Sequence, residues 1–140
     1  MNTFSLQIGT PDGLLFDGKV ERVKVRSVTG DLAILAGHIN YVTALGMGLA
    51  YIVLPDGTRR EAACIGGMLS VMNGECSVLA TTWEWAEDID VERAKAAKAR
   101  AEERLKDQML DKEARVRAEA KLYRALVRLG SSGQDPNNLN

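Results

Sequence analysis

The sequence predicts an α+β protein, with an N-terminal β-sandwich followed by a C-terminal antiparallel two-helix hairpin. Three observations carry this reading. Apolar residues alternate between turn signals throughout residues 3–84, which is the period of half-buried strands. Residues 91–129 hold neither proline nor glycine and are rich in alanine, arginine and glutamate, a helical composition. Eleven of the thirteen glycines precede residue 75, so two kinds of structure meet near residue 86. The expected divisions are a sandwich over 1–86, a hairpin over 87–130 and a disordered polar tail over 131–140.

In the first half, PDG at 11–13 and again at 55–57 marks turns. KVERVKVRSV at 19–28 alternates with Val20, Val23, Val25 and Val28. The slip between 20 and 23 suggests a bulge or an edge. The clearest unit is LSVM-NG-ECSVLA at 69–80. Asn73 and Gly74 suit the positive φ angles of a type I′ hairpin. That loop sets Val71 opposite Cys76, Ser70 opposite Ser77 and Leu69 opposite Val78, so apolar pairs share one face.

This half offers no catalytic grouping. It lacks a GxxxxGK[ST] phosphate loop, and GMG at 46–48 lacks the third glycine of a dinucleotide fingerprint. His38, the only histidine, has no Ser or Cys partner in view and reads as a structural or interface residue. Cys64 and Cys76 lie in apolar strand patterns without CxxC spacing and are expected to be reduced core residues. No apolar run reaches the about 18 residues of a membrane span. MNTFSLQIGTPDG lacks the basic and apolar segments of a secretory signal.

The second half opens on DIDVERAKAAKARAEERL at 88–105. Its alternating acids are not a calcium loop, because the sixth position is Arg93 rather than glycine. Instead, Asp88 or Asp90 caps a helix whose dipole favours acids at that end. The first helix is expected over 91–106 and the second over 111–129, with the turn at 107–111. Asp90, Ala94, Ala97 and Ala101 form one stripe; Ala114, Ala118, Leu122, Ala125 and Leu129 form its partner. Small side chains let two such helices approach closely.

Charge is uneven along the chain. Residues 1–88 carry six basic and ten acidic side chains, and residues 89–130 carry twelve and eight. Arg93, Arg100 and Arg104 lie roughly 70° from the first stripe, and Arg117, Lys121, Arg124 and Arg128 roughly 90° from the second. In an antiparallel pair these rows fall on the same edge. Arg93 then nears Arg124 and Arg128, and Arg100 nears Arg117 and Lys121. A solvated charged face, a phosphate-rich ligand or an acidic protein surface would each account for them. Nucleic acid is not expected, since the chain as a whole is not basic and the helices lack interleaved aromatics. A second apolar strip, Val116, Ala120, Tyr123 and Val127, must rest on the sandwich or on a partner.

TPDGLLFDG (10–18), GDLAILAGH (30–38), GGMLSV (66–71) and IDVERAKAAKARAEERL (89–105), in this order and spacing, resemble the epsilon subunit family of bacterial F-type ATP synthase over about residues 1–130. The resemblance implies a sandwich of about ten strands and a mobile hairpin. It further implies a non-catalytic place in the central rotating stalk, peripheral to the cytoplasmic face of the cell membrane. The implied partners are the gamma subunit, the c-ring and the catalytic beta subunit. Extended along gamma, the hairpin of the family obstructs ATP hydrolysis. Here the implied inhibitory contacts with beta are Arg115, Arg117, Lys121, Arg124 and Arg128.

Some bacterial members also bind ATP through an I(L)DxxRA motif. The resemblance implies no required cofactor, with ATP as a regulatory ligand of Glu84, Ile89, Asp90, Arg93, Ala94, Arg100, Arg124 and Arg128. It assigns Asp31 to the c-ring interface and His38 to a region near gamma. A coupling and regulatory subunit is therefore one reading, and a free-standing ATP-sensing module is the other.

Overall fold

A computed structural model of the protein describes residues 2–132. The order of elements is β1 (Phe4–Thr10), β2 (Gly13–Val20), β3 (Arg22–Ser27), β4 (Gly30–Leu35), β5 (Tyr41–Val53), β6 (Arg59–Met72), β7 (Glu75–Trp85), a single 3-10 turn (Ala86–Asp88), α1 (Val91–Leu105) and α2 (Lys112–Ser131). All seven strands join one sheet, ordered β2-β1-β7-β6-β5-β3-β4. Its pairs are antiparallel except β1 with β7.

The sheet encloses its own core by reversing which face points inward. In β6, Ala62 and Cys64 enter the main core, but further along Leu69 and Val71 do. β5 changes from Leu45 to Ala50 and Ile52, and β7 from Cys76, Val78 and Ala80 to Trp83 and Trp85. These odd–even changes would place side chains on opposite sides of a flat sheet. They align across the ladder at Gly46, Gly66 and Thr81, the positions where pairing lapses without loss of register. Gly66 and Gly67 have φ of 74° and 119°, which a side chain would resist. The sheet thus folds along this line, and both halves face one core.

Seven strands stand where about ten were expected. The reason is that β5, β6 and β7 are 13, 14 and 11 residues long and run unbroken through the fold line. Counted as two segments each, they restore the expected number. The slip after Val20 is not a bulge: it marks the junction between β2, an edge strand of the sheet, and β3, where Glu21 N–H donates to the Val53 carbonyl at 2.8 Å. Val28 lies outside both strands and is exposed. The 73–74 hairpin has the expected register, with Asn73 at φ 52° and Gly74 at φ 81°.

Asp90 caps α1 by accepting a hydrogen bond from Arg93 N–H at 3.0 Å, and Asp111 caps α2 through Ala114 N–H at 2.7 Å. Between them, the Arg115 guanidinium donates to the carbonyls of Leu105 (3.3 Å) and Asp107 (3.0 Å), satisfying groups that α1 leaves open at its end. The seam is buried at Ala94, Ala101, Ala114, Ala118, Ala125 and Leu129. α2 also lies on the sheet, where Val127 and Tyr123 pack with Ala63, Met47 and Ile89. β6 is consequently covered on both faces there. The second apolar strip is covered only at this end, because Val116 remains 58% exposed.

α2 continues past Gly130, correcting the expected tail boundary at 131. Ser131 is buried, and its hydroxyl bonds the carbonyls of Val127 (2.9 Å) and Ala62 (3.2 Å). Those bonds stitch the helix end to β6. The remainder of the expected tail, from residue 133, lies outside the described residues.

Candidate functional site

Where the hairpin meets the sandwich, Glu84 of β7 receives a hydrogen bond from Arg128 Nε at 2.5 Å. Glu84 stands opposite Ala63 in the ladder, so the ion pair borders the apolar patch beneath α2. Both side chains are about one third exposed, which places the pair between a screened surface bridge and a buried one. Ile89 belongs to the same apolar patch, and Ala94 is buried. Asp90 is engaged as the cap of α1.

Arg93 is exposed and Arg124 half-buried. Neither side chain makes an ion pair or hydrogen bond with another described residue. The linker at this junction is secured by a contact that sequence reasoning missed. The Arg60 guanidinium lies 3.8 Å over the Trp85 ring and donates to Glu87 at 2.8 Å. Arg60, through that hydrogen bond, holds the Glu87 carboxyl below its usual range. Nothing in the spacing of residues 60, 85 and 87 announces this, because it depends on β6 and β7 ending side by side.

Nearer the hairpin turn, Arg100 and Arg104 of α1 face Arg117 and Lys121 of α2 across a cleft of about 510 Å³. Its floor is alanine, including Ala101 and Ala118. The expected neighbours Arg100, Arg117 and Lys121 share this cleft. Arg104, part of the same row, joins them although it had been given no role. The proposed nucleotide residues therefore divide, with Arg100 in the cleft and Glu84 and Arg128 at the sandwich. Arg115 is committed to the inter-helix loop.

On the sandwich, Asp31 is the second residue of β4 and pairs with Lys24 at 3.3 Å and Arg26 at 3.5 Å. His38 is half-buried beyond β4. Its Nδ1 lies 2.8 Å from the Ile39 carbonyl, and its ring meets Tyr41 edge-on. A further surface was not anticipated. The ladder aligns Ala44, Met68, Leu79, Gly9 and Leu14 across β5, β6, β7, β1 and β2. Leu79, Leu14 and Met68 are 64%, 60% and 45% exposed. This row crosses the sheet without a charge, and contiguous exposed apolar surface of this kind marks an interaction face. Its signal in the sequence, apolar residues at both parities of β6 and β7, becomes readable only with the register.

Among the described residues no cluster of His, Cys, Asp or Glu could hold a metal ion, and no helix is long and apolar enough to cross a membrane. Cys64 and Cys76 are unpaired and buried in the core, and burial pushes both thiols up to about 12.

Comparison with known proteins fits this two-part geometry. Residues 3–86 match the family model described as the β-sandwich domain of the ATP synthase delta/epsilon chain, and residues 87–133 match its long α-helix domain. The ATP synthase epsilon chain of Bacillus velezensis is 46% identical over 133 residues, covering 95% of this chain and 99% of that one. That of an Exiguobacterium species is 43% identical over 129 residues, covering 92% and 95%. A chain from the mitochondrial ATP synthase of Euglena gracilis, solved as an OSCP/F1/c-ring assembly, superposes with a TM-score of 0.76. It is 25% identical, over 86% of this chain and 76% of that one. Both domains, in the family's order and over nearly the whole length, place this chain in the ATP synthase delta/epsilon family.

Proposed function

We propose that this chain is a non-catalytic epsilon subunit in the central stalk of a rotary ATP synthase. On this reading the sandwich couples gamma to the c-ring, and the hairpin restrains ATP hydrolysis by engaging beta when it extends. The complex would hold the chain at the cytoplasmic face of the membrane.

The observation that carries the proposal is the exposed apolar row through Met68, Leu79 and Leu14. A free-standing ATP sensor would gain nothing from leaving these side chains in water. A stalk partner would bury them, each contributing about 1–1.5 kcal/mol for the half or so of its surface still exposed. Asp31, held by Lys24 and Arg26, suits a polar contact with a c-ring loop, and His38 suits the gamma side. The hairpin is attached to the sandwich chiefly through the last turns of α2 and the Glu84–Arg128 pair, so its release would leave the main core untouched. ATP would favour the closed arm through Arg93, Arg100, Arg124 and Arg128, with Ile89, Asp90, Ala94 and Glu84 around the nucleoside.

Co-expression with its own gamma subunit tests the proposal. Met68→Lys with Leu79→Glu should abolish co-purification while leaving the thermal midpoint close to that of the parent, because both positions are exposed and opposite charges then face each other across the ladder. Undiminished co-purification of the double variant would remove the basis for this reading.

A further inference from the structure

We propose that the cleft near the hairpin turn is a binding site for a small inorganic polyphosphate anion, separate from the nucleotide residues at the sandwich end. Two cations from each helix, Arg100, Arg104, Arg117 and Lys121, line one concave space of about 510 Å³, within the size range of small-molecule sites. None of the four makes an ion pair or hydrogen bond through its side chain with another described residue. Elsewhere on the hairpin three cations find carboxylates, Lys95 with Glu92, Lys106 with Glu103 and Arg128 with Glu84, while Arg93 and Arg124 do not but lie outside this cleft. The cleft is therefore a place where positive charge converges and no acid among the described residues answers it.

The lining also indicates the kind of anion. The floor is alanine, with no aromatic face for a base to stack on and no neutral polar side chain to read one. Guanidinium groups on opposing walls can each present paired N–H donors to phosphate oxygens. Pyrophosphate or triphosphate supplies enough acceptors to reach both helices. Such a ligand would relieve the repulsion across the cleft and cross-link α1 to α2, so it would stabilise the closed hairpin by mass action. Only Arg100 is common to this site and to the nucleotide residues proposed above, so an anion here would also draw Arg100 away from them.

Calorimetric titration of the full chain with sodium tripolyphosphate in magnesium-free buffer tests the site. The parent should show saturable binding. Arg104→Gln with Arg117→Gln should weaken it by at least about a hundredfold, and Lys121→Gln alone by at least about tenfold, since each charged hydrogen bond lost costs no less than about 1.4 kcal/mol, a factor of ten. Arg93→Gln should leave it unchanged. All four positions are exposed, and far-ultraviolet circular dichroism checks that the helices persist; the single Lys121 variant decides the matter if the double variant loses them. Absence of saturation up to about 10 mM, far weaker than charge-assisted contacts from four cations should give, would overturn the site. Equal affinity in parent and Lys121→Gln would do the same. ATP binding lost with Arg93→Gln but retained with Arg104→Gln would separate this cleft from the nucleotide reading.

Discussion

Gly67 is the residue on which the enclosure of the core depends most directly. A Cβ there would stand 2.2 Å from the Leu79 carbonyl oxygen, at a φ of +119°. Gly67→Ala should therefore destabilise the sandwich by about 3 kcal/mol, from overpacking and backbone strain together. Gly74 also has positive φ but meets nothing within 4 Å, so Gly74→Ala should cost only about 1 kcal/mol. Urea midpoints of the two variants should differ accordingly. The cysteines make a pH prediction. Burial raises both thiols from the ordinary 9.0 to about 12, so folding favours the neutral form. The stability they lend is complete below pH 9 and is lost as pH rises toward 12. A Cys64→Ala, Cys76→Ala variant should show a flatter fall in urea midpoint over that range than the parent. Legibility at this scale divides cleanly. Asn73-Gly74 was readable because its turn is local. Gly66-Gly67 was not, since a reversal of inward face has meaning only when β5 and β7 are known to reverse beside it.

Among the elements, α1 and α2 were legible because their caps, Asp90 and Asp111, act within three residues of themselves. The docking of α2 was not, because Val116 and Val127 belong to one apolar strip and only Val127 is covered. The ten expected strand segments merge into seven strands for a similar reason, since no local feature says that β5 to β7 continue across the fold line. The convergence of Arg100, Arg117 and Lys121 followed from helical periodicity and antiparallel pairing alone. The partnership of Glu84 with Arg128 required the placement of α2 on the sheet. Because α1 touches the molecule chiefly through α2, weakening the α2 dock should release both helices together. Val127→Ala removes fully buried methyl groups at a cost of about 2 kcal/mol, and Glu84→Gln removes the bordering charge. In the double variant, native-state hydrogen exchange should accelerate across residues 91–131 while β1, β6 and β7 keep their protection. Acceleration in the strands to the same degree would mean that hairpin and sandwich open as one unit.

At the scale of the molecule, the main core draws only on residues from Phe4 to Trp85. α1, by contrast, buries only Ala94 and Ala101. The sandwich can therefore stand without the hairpin, whereas the hairpin leans on it. On the proposed reading, the sandwich would serve as the coupling body and the hairpin as its releasable arm. The account is tested most directly by measuring ATP hydrolysis in complexes assembled from this chain's own catalytic and stalk subunits, with either the full chain or residues 1–88. Both should assemble, and the complex with residues 1–88 should hydrolyse ATP faster. Raised salt should narrow the difference, because on the proposed reading the full-chain complex would be restrained through Arg117, Lys121, Arg124 and Arg128, and exposed charge pairs are screened. Equal hydrolysis by the two assembled complexes would contradict the regulatory role of the hairpin.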